Sequence, residues 1–222
     1  MRKARRESNT VKDDAYWLAK HPVTDQMYNG RPLPNGEPYE IDVRHFLWPQ
    51  DNALELVVAR HNLLAPTPDE SALLCQQNVV KNLEYVGDEV LGFPEYWLFP
   101  GETLAMGAGD CEDGAWLMAS LLLHCLPLTE WRRVRVCAGW VQARPTAPQG
   151  GHAYVTYCRT TDNEWVVLDW CYLEDSTIAV AEKPLHKDVA AYKQVWFSVD
   201  YRNAYSHQET MLGGRLRPRV AA

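Results

Sequence analysis

The most restrictive feature of the chain is an almost wholly apolar segment, 111–126, which reads CEDGAWLMASLLLHCL. Asp110 can act as its N-cap, and Pro127 ends it. A helix that is apolar on all sides must be covered on all sides, so this pattern predicts a central buried helix. The segment is interrupted by Ser120 and His124 and is shorter than the ~20 apolar residues of a membrane span, so a transmembrane helix is excluded here.

Composition and charge narrow the class of protein. The 222 residues are 46% hydrophobic and 23% charged, as in an ordinary globular protein with a substantial core. The net charge is −7, and an acidic body argues against nucleic acid as the ligand. Basic residues gather at both ends, which predicts solvated tails or docking onto a larger acidic assembly: Arg2, Lys3, Arg5, Arg6, Arg215, Arg217 and Arg219.

The pattern of cysteines and the N-terminal segment indicate the cellular compartment in which the protein is expected. No apolar stretch follows MRKARRES, so no secretory signal is predicted and a cytoplasmic or virion-associated location is expected. The six cysteines form no C-x-x-C pair, which argues against a zinc ribbon or a thioredoxin-type site. Reduced thiols are therefore expected rather than disulfides.

Proline and glycine divide the chain into three parts. Residues 1–50 hold five prolines and predict an irregular N-terminal arm, 51–205 predicts a folded domain, and 206–222 predicts a basic tail. Within the domain, helices are predicted at 51–64, 69–83 and 111–126, a long loop at 85–109, strands at 134–144, 152–159, 165–171 and 194–200, and a short helix within 181–193.

Three residues stand where nucleophilic chemistry needs them. Cys111 begins the buried helix, where backbone N–H groups and the helix dipole favour a thiolate. His152 opens one predicted strand and can take up and return a proton. Asp169 lies in an otherwise apolar strand, where a carboxylate needs a partner. The plain alternatives are a core thiol, a surface histidine and a salt bridge from Asp169 to an arginine.

Strand pairing predicts that the last two of these residues are neighbours. A hairpin whose turn is centred near 161–162 places His152 nearly opposite Asp169. Together with Cys111 they form a Cys–His–Asp set in that chain order. Cys171 follows Asp169 by two residues on the same strand face, so it either lines the site or packs in the core.

Three motifs carry a family resemblance. GDCEDGAWLMASLL, GGHAYVTY and WVVLDWCY resemble, in order, the motifs of the transglutaminase-like superfamily of papain-type cysteine enzymes. They are most similar to the small transglutaminase-like cysteine peptidases of bacteria and their phages. The similarity covers residues 69–200, and EYWLFPGETLAMGAGDCED is similar to the family's segment before the nucleophile.

This resemblance implies an α+β, papain-like core in which the nucleophile helix packs on an antiparallel sheet. It implies a catalytic triad of Cys111, His152 and Asp169, with acyl transfer from an amide through a thioester. It implies an oxyanion hole made of the Cys111 N–H and a side-chain donor, for which Gln77 and Trp97 are the candidates.

The resemblance also bears on metal binding. Some related peptidases bind calcium near the nucleophile, and Asp110, Glu112 and Asp113 are the candidate ligands here. The plain interpretation of these carboxylates is N-capping and helix-dipole compensation. No other cofactor is expected.

Three functions stay open from the sequence. A cysteine hydrolase, a peptidase or amidase acting on a peptide or protein, is the leading hypothesis. A structural or interaction protein that keeps the fold, such as a phage particle component, is the second. An amine-transferring transglutaminase is the third, and access of water to the thioester separates it from the first.

Overall fold

The computed structural model describes residues 27–32, 35, 37–91, 95–173 and 175–206. The basic clusters at both ends and nearly all of the predicted tail therefore lie outside the described residues. The main helices of the described part are α1 (Asn52–His61), α2 (Pro68–Asn82), α3 (Pro100–Met106) and α4 (Cys111–Cys125). Among the described residues, no helix is both long and apolar enough to span a membrane.

A five-stranded antiparallel sheet forms the second layer of the domain. Its strands run in the spatial order β7-β6-β5-β8-β9. Their bounds are β5 (Val134–Val141), β6 (Gly150–Cys158), β7 (Trp165–Leu168), β8 (Tyr192–Val199) and β9 (Ala204–Ser206). The four longer strands were predicted from the sequence, with ends that differ by a few residues. The architecture is α+β, as expected.

Helix α4 is the centre of the hydrophobic core. Its apolar side chains are buried almost all round, including Trp116, Met118 and Leu122. One face of the sheet covers it, where Val136 and Val155 alternate with polar residues that point away. Helices α1, α2 and α3 cover the remaining sides of α4. Burial on all sides is what its sequence pattern requires.

The segment predicted as an irregular arm is partly regular. Strands β1 (Met27–Pro32) and β2 (Pro38–Asp42) form an antiparallel hairpin, and a 3-10 helix, Val43–Phe46, follows. The prediction is wrong here because the stabilising contacts are distant in sequence. The Tyr28 ring stacks on Trp97 at 4.5 Å between centroids, and Phe46 is fully buried.

The long loop predicted at 85–109 also contains regular structure. A 3-10 helix, Asp88–Leu91, and helix α3 interrupt it. Two short parallel strands, β3 (Glu84–Tyr85) and β4 (Ala108–Gly109), bring its ends together. The start signal of α3 was present in the sequence, because Pro100 begins the helix and Glu102 accepts the Phe99 N–H at 2.7 Å.

Two smaller predictions need adjustment. Helix α2 is capped by Thr67 in a capping box with Glu70, rather than by Asp69. The short helix expected within 181–193 is replaced by two 3-10 turns, Val180–Glu182 and His186–Asp188. In the capping box, the Glu70 N–H donates to the Thr67 hydroxyl oxygen and the Thr67 N–H donates to the Glu70 carboxylate. These two hydrogen bonds set the start of the helix at Thr67.

Candidate active site

The start of α4 presents Cys111 at the first helical position. The backbone N–H of Asp110 donates to the Asp113 carboxylate at 3.2 Å, which fixes the first turn. The Trp170 indole N–H donates to the Cys111 carbonyl at 3.2 Å. Gly114 is required for this contact, because a Cβ there would lie 2.2 Å from the indole nitrogen. The helix start is therefore held against the segment that follows β7.

The Cys111 sulfur lies between an acidic side chain and the backbone of β6. Its thiol donates to Glu112 Oε2 at 3.1 Å, and the backbone N–H of Ala153, the residue after His152, is near enough to act on the pKa of the thiol. Burial raises the pKa of the Cys111 thiol well above its usual range, and the charges of Glu112 and Asp110 raise this pKa further. The Ala153 N–H opposes that rise. In this state the thiol holds its proton at neutral pH.

His152 and Asp169 form a buried hydrogen-bonded pair. The His152 Nε2 lies 2.7 Å from Asp169 Oδ2, and both side chains are almost fully buried. The hairpin register differs from the expected one by one position, since Val155 pairs with Leu168 and Cys158 with Trp165. Asp169 therefore lies just beyond the end of β7 and reaches His152 diagonally.

Four donors surround the Asp169 carboxylate. Besides His152, the Tyr192 hydroxyl donates to Oδ2 at 2.7 Å. The backbone N–H groups of Cys171 and Tyr172 donate to Oδ1 at 3.1 and 3.2 Å. Burial acts to raise the pKa of Asp169, but the donors from His152, Tyr192 and Cys171 outweigh it and hold this pKa below its usual value. The carboxylate is therefore ionised and fixed in orientation.

The three candidate catalytic residues lie at one end of α4, but only two of them are hydrogen-bonded. Among the described residues, no hydrogen bond joins the Cys111 thiol to the His152 ring. The indole N–H of Trp170, the residue after Asp169, nevertheless donates to the Cys111 carbonyl, so the helix start lies beside the segment that carries Asp169. Because Nε2 of His152 contacts Asp169, Nδ1 is the ring nitrogen left for a thiol proton.

Neither side chain proposed for the oxyanion hole is placed for that role. The Gln77 amide donates to the Ser176 carbonyl at 2.8 Å. The Trp97 indole N–H donates to the Glu95 carboxylate at 2.6 Å, and its ring lies in the cluster with Phe46 and Trp116. The sequence marked these residues only by their type and their position before Cys111. The fold directs both donors elsewhere.

A cluster of carboxylates lies on the other side of Cys111. Oxygens of Asp88, Asp110 and Asp113 lie within 4.8 Å of one another, and so do those of Asp88, Glu95 and Glu112. Burial and the neighbouring carboxylates raise the pKa of Glu112 well above its usual range, that of Asp110 less, and that of Asp113 to about 7.

This cluster fits a hard divalent cation. The Asp110 Oδ1 atom is buried without a hydrogen-bond partner, which is costly unless something binds it. Several carboxylate oxygens around a small space are the donor set that calcium prefers. The three residues named from the sequence belong to it, and Asp88 and Glu95 join them from the preceding loop.

Sequence reasoning missed these two acidic residues and Tyr192. The loop before α3 was noted for its length and for its similarity to the family's segment before the nucleophile, and its acidic residues in GDEVLGFPEYW were not considered as ligands. Tyr192 carried no signal, because it begins a strand more than twenty residues after Asp169. A tyrosine at a strand start is ordinary, and only the pairing of β8 with β5 brings it to the site.

Comparisons with known proteins agree with the fold. No family model matches the chain, and no curated protein matches it. Among solved structures, it is similar to EGTA-treated LapG of Legionella pneumophila, with 18% identity, a TM-score of 0.51, and coverage of 73% of this chain and 78% of LapG. A second LapG structure gives 18% identity, a TM-score of 0.48, and coverage of 69% and 76%.

A third similar structure is described as a candidate cysteine protease from Cytophaga hutchinsonii. It has 19% identity and a TM-score of 0.42, with coverage of 80% of this chain and 57% of that chain. At such identities the comparison bears on the fold alone. Together with the layer of α4 against the antiparallel sheet, the similarity to EGTA-treated LapG, at a TM-score of 0.51, shows that this chain has a transglutaminase-like, papain-type fold.

Proposed function

We propose that the protein is a cysteine hydrolase that cleaves amide bonds of peptides or proteins through a thioester. The observation that carries the proposal is the arrangement at the N-terminus of α4. There Trp170, the residue after Asp169, donates to the Cys111 carbonyl, and His152 is held by the ionised Asp169. The transglutaminase-like fold supports a cysteine peptidase at the level of the fold.

The reaction follows from these contacts. His152 Nδ1 takes the proton of Cys111, and the sulfur attacks the amide carbonyl carbon. The imidazolium, stabilised by Asp169, then gives its proton to the leaving amine as the C–N bond breaks, which leaves a thioester. A water molecule, deprotonated by His152, attacks the thioester, releases the acid product and restores the thiol.

The developing oxyanion needs a donor near the sulfur. The backbone N–H of Cys111 lies at the first position of α4 and has no acceptor within its own helix. The positive end of the helix dipole adds to its effect. Exposed Gly150 and Gly151 precede His152, so a substrate backbone can approach this edge of β6 closely.

A calcium ion fits the carboxylate cluster beside this site. Asp88, Asp110, Glu112 and Asp113 would hold it, with Glu95 at the exposed edge. When bound, the ion neutralises carboxylates that otherwise keep the Cys111 thiol protonated. The residues of this chain perform every step of the reaction described above.

The decisive experiment measures cleavage of an unstructured protein such as casein, with and without calcium, by the wild type and by Cys111→Ala. The expected result is cleavage by the wild type that falls to background in the variant, while the two proteins unfold at similar temperatures. Cleavage that persists in Cys111→Ala would refute the mechanism. Mass spectrometry after brief iodoacetamide treatment provides an internal control, because Cys111 must react faster than the buried thiols.

The same assay separates the other two functions. A labelled primary amine added with the substrate is incorporated if the thioester transfers to amines, and it stays unincorporated if water is the acceptor. A protein that shows neither reaction, and whose Cys111 reacts no faster than Cys137, would instead be an inactive member of the fold. In that case a role in a larger protein assembly would be the better assignment.

A further inference from the structure

A second thiol lies beside the His152–Asp169 pair. Donor atoms of His152, Asp169 and Cys171 all lie within 4.8 Å of one another. The register of β6 with β7 explains this, because its pairs, such as Val155 with Leu168, place position 171 opposite His152 when continued. We propose that these three residues form a zinc site, and that zinc bound there withdraws His152 from catalysis.

The donor set selects zinc over calcium. An imidazole nitrogen, a thiolate sulfur and a carboxylate oxygen are the ligands that Zn²⁺ takes, with Zn–N at ~2.0–2.1 Å and Zn–S at ~2.3 Å. Tetrahedral geometry at those lengths separates the donors by about 3.4–3.6 Å. Since they already lie within 4.8 Å, small side-chain rotations bring them into position. The cluster with Asp88 and Asp113 offers only oxygens and suits a hard ion.

The surroundings orient these ligands. Two backbone N–H groups hold Asp169 Oδ1, and the Tyr192 hydroxyl holds Oδ2. Such outer contacts keep a ligating carboxylate in one orientation. His152 and Asp169 are almost fully buried, whereas Cys171 is half-buried. The ion therefore reaches the site from the side of Cys171, and a water molecule completes three protein ligands as in other accessible zinc sites.

Zinc binding and the proposed hydrolysis exclude each other. The ion binds the neutral imidazole and the Cys171 thiolate, so the thiol proton and any proton of the imidazolium pass to solvent. The imidazole nitrogen that faces Asp169 is then bonded to the metal. The ring can no longer form the imidazolium that Asp169 stabilises, so it cannot accept the Cys111 proton.

Cobalt(II) tests the site without any turnover. It replaces zinc, and a cysteine ligand gives a thiolate-to-cobalt charge-transfer band in the near ultraviolet. Metal-free protein is titrated with Co²⁺ in excess calcium, which occupies the carboxylate cluster. The wild type and Cys111→Ala should each bind one Co²⁺ and show the band, and Zn²⁺ should abolish it. Cys171→Ser should lose the band and bind Zn²⁺ at least ~10-fold more weakly.

Three outcomes would overturn the proposal. The band could be absent from the wild type, it could persist in Cys171→Ser, or it could disappear in Cys111→Ala, which would place the metal on Cys111 with Asp110 and Glu112. Circular dichroism checks that Cys171→Ser is folded, and Cys171→Ala replaces it if it is not.

The inhibitory consequence rests on the proposed function, but the metal site does not. Protein that shows the cobalt band and no cleavage would refute the hydrolase and keep the site. Protein that cleaves its substrate, shows no cobalt band and is not inhibited by zinc would refute the metal site and keep the hydrolase. If the protein is a hydrolase and also has the zinc site, equimolar Zn²⁺ should stop wild-type cleavage, and a chelator should restore it.

Discussion

Two contrasting groups of side chains lie near the start of α4. The acidic flank comprises Asp88, Glu95, Asp110, Glu112 and Asp113, and the imidazole flank comprises His152, Asp169, Cys171 and Tyr192. On the acidic flank, carboxylates face one another, and burial raises the pKa values of Asp110, Glu112 and Asp113. On the imidazole flank, one carboxylate is surrounded by donors, and its pKa is lowered.

The difference shows how one fold can set the reactivity of one thiol from two sides. The acidic flank keeps the proton on the sulfur, since Glu112 accepts its S–H and adds negative charge. In the proposed reaction, the imidazole flank provides the group that removes this proton. Neutralising the carboxylates of the acidic flank should therefore let His152 take the Cys111 proton more readily. The following predictions test this relationship between the two flanks.

The largest expected effect is a loss of hydrolysis when the base on the imidazole flank is removed, but not when a charge on the acidic flank is removed. His152→Ala should lower kcat/KM for hydrolysis by roughly 10²–10⁴-fold, the usual contribution of a general base. Glu112→Gln should keep turnover, because it removes a charge and not the base. Steady-state kinetics of both variants checks this. Equal losses in the two variants would show that the flanks do not have separate roles.

Calcium should have the next largest effect. Each unit by which the Cys111 thiol pKa falls is a tenfold change in thiolate at neutral pH, so calcium should raise the rate of Cys111 alkylation at pH 7 about tenfold or more. EGTA should reverse the effect.

Glu112→Gln is the matched variant for the calcium experiment. It should raise the alkylation rate without calcium and reduce the response to it, because one of the charges that oppose the thiolate is gone. The rates are measured by quantifying modified peptides over time. A wild-type rate that is indifferent to calcium would mean that the cluster does not control the thiol.

Removal of the Tyr192 hydroxyl should have a smaller effect on the imidazole flank. Tyr192→Phe deletes one donor to Asp169, so the pKa of Asp169 should rise. Stability from the ionised Asp169 is present at higher pH and is lost as pH falls through this pKa, so the loss should begin at a higher pH in the variant.

Acid unfolding followed by circular dichroism, in a chelator, measures this shift. Tyr205→Phe is the control, because its hydroxyl donates to Asp200 at the other end of the sheet. If both variants shift the acid unfolding transition equally, the Tyr192 hydroxyl has no specific effect on the pKa of Asp169.

The smallest expected effect concerns stability of the acidic flank. Asp113 has a pKa of about 7 in the folded protein, above the ~3.9 of an unfolded chain. Its protonated form contributes stability below pH ~4, and that contribution is lost as pH rises through 7. Calcium-free protein should thus melt a few degrees lower at pH 7.5 than at pH 5.

Calcium should cancel this difference, and Asp110→Asn should reduce it, because the charge of Asp110 adds to the effect of burial on the pKa of Asp113. Scanning calorimetry at both pH values gives the melting temperatures. A calcium-free protein that is more stable at pH 7.5 than at pH 5 would contradict the assignment of repulsion to this flank.

Much of the framework could be predicted from local patterns. The end signals at Asp110 and Pro127 and the continuous apolar run defined α4, and alternation in 152–159 defined β6. The hairpin of β6 with β7 followed from the polar turn between them, so the contact of His152 with Asp169 was predicted in kind. These features depend on residues close in sequence.

The predictions of other features failed because these features depend on contacts between residues distant in sequence. The hairpin β1–β2 appeared irregular in sequence, since its proline-rich residues are stabilised by packing such as that of Tyr28 on Trp97. Gln77 and Trp97 were plausible donors by type, but the directions of their side chains depend on neighbours far along the chain.

The sequence by itself determined the buried helix, the antiparallel strands and the pairing of His152 with Asp169, because periodicity, capping and strand pairing act over short distances. Only the tertiary structure decided what surrounds them. Asp88 and Glu95 join the acidic flank, Tyr192 reaches Asp169 from β8, and Cys171 comes to lie beside His152. The reason is physical: burial and the proximity of charges set pKa values and metal preference, and both arise only when segments distant in sequence pack together.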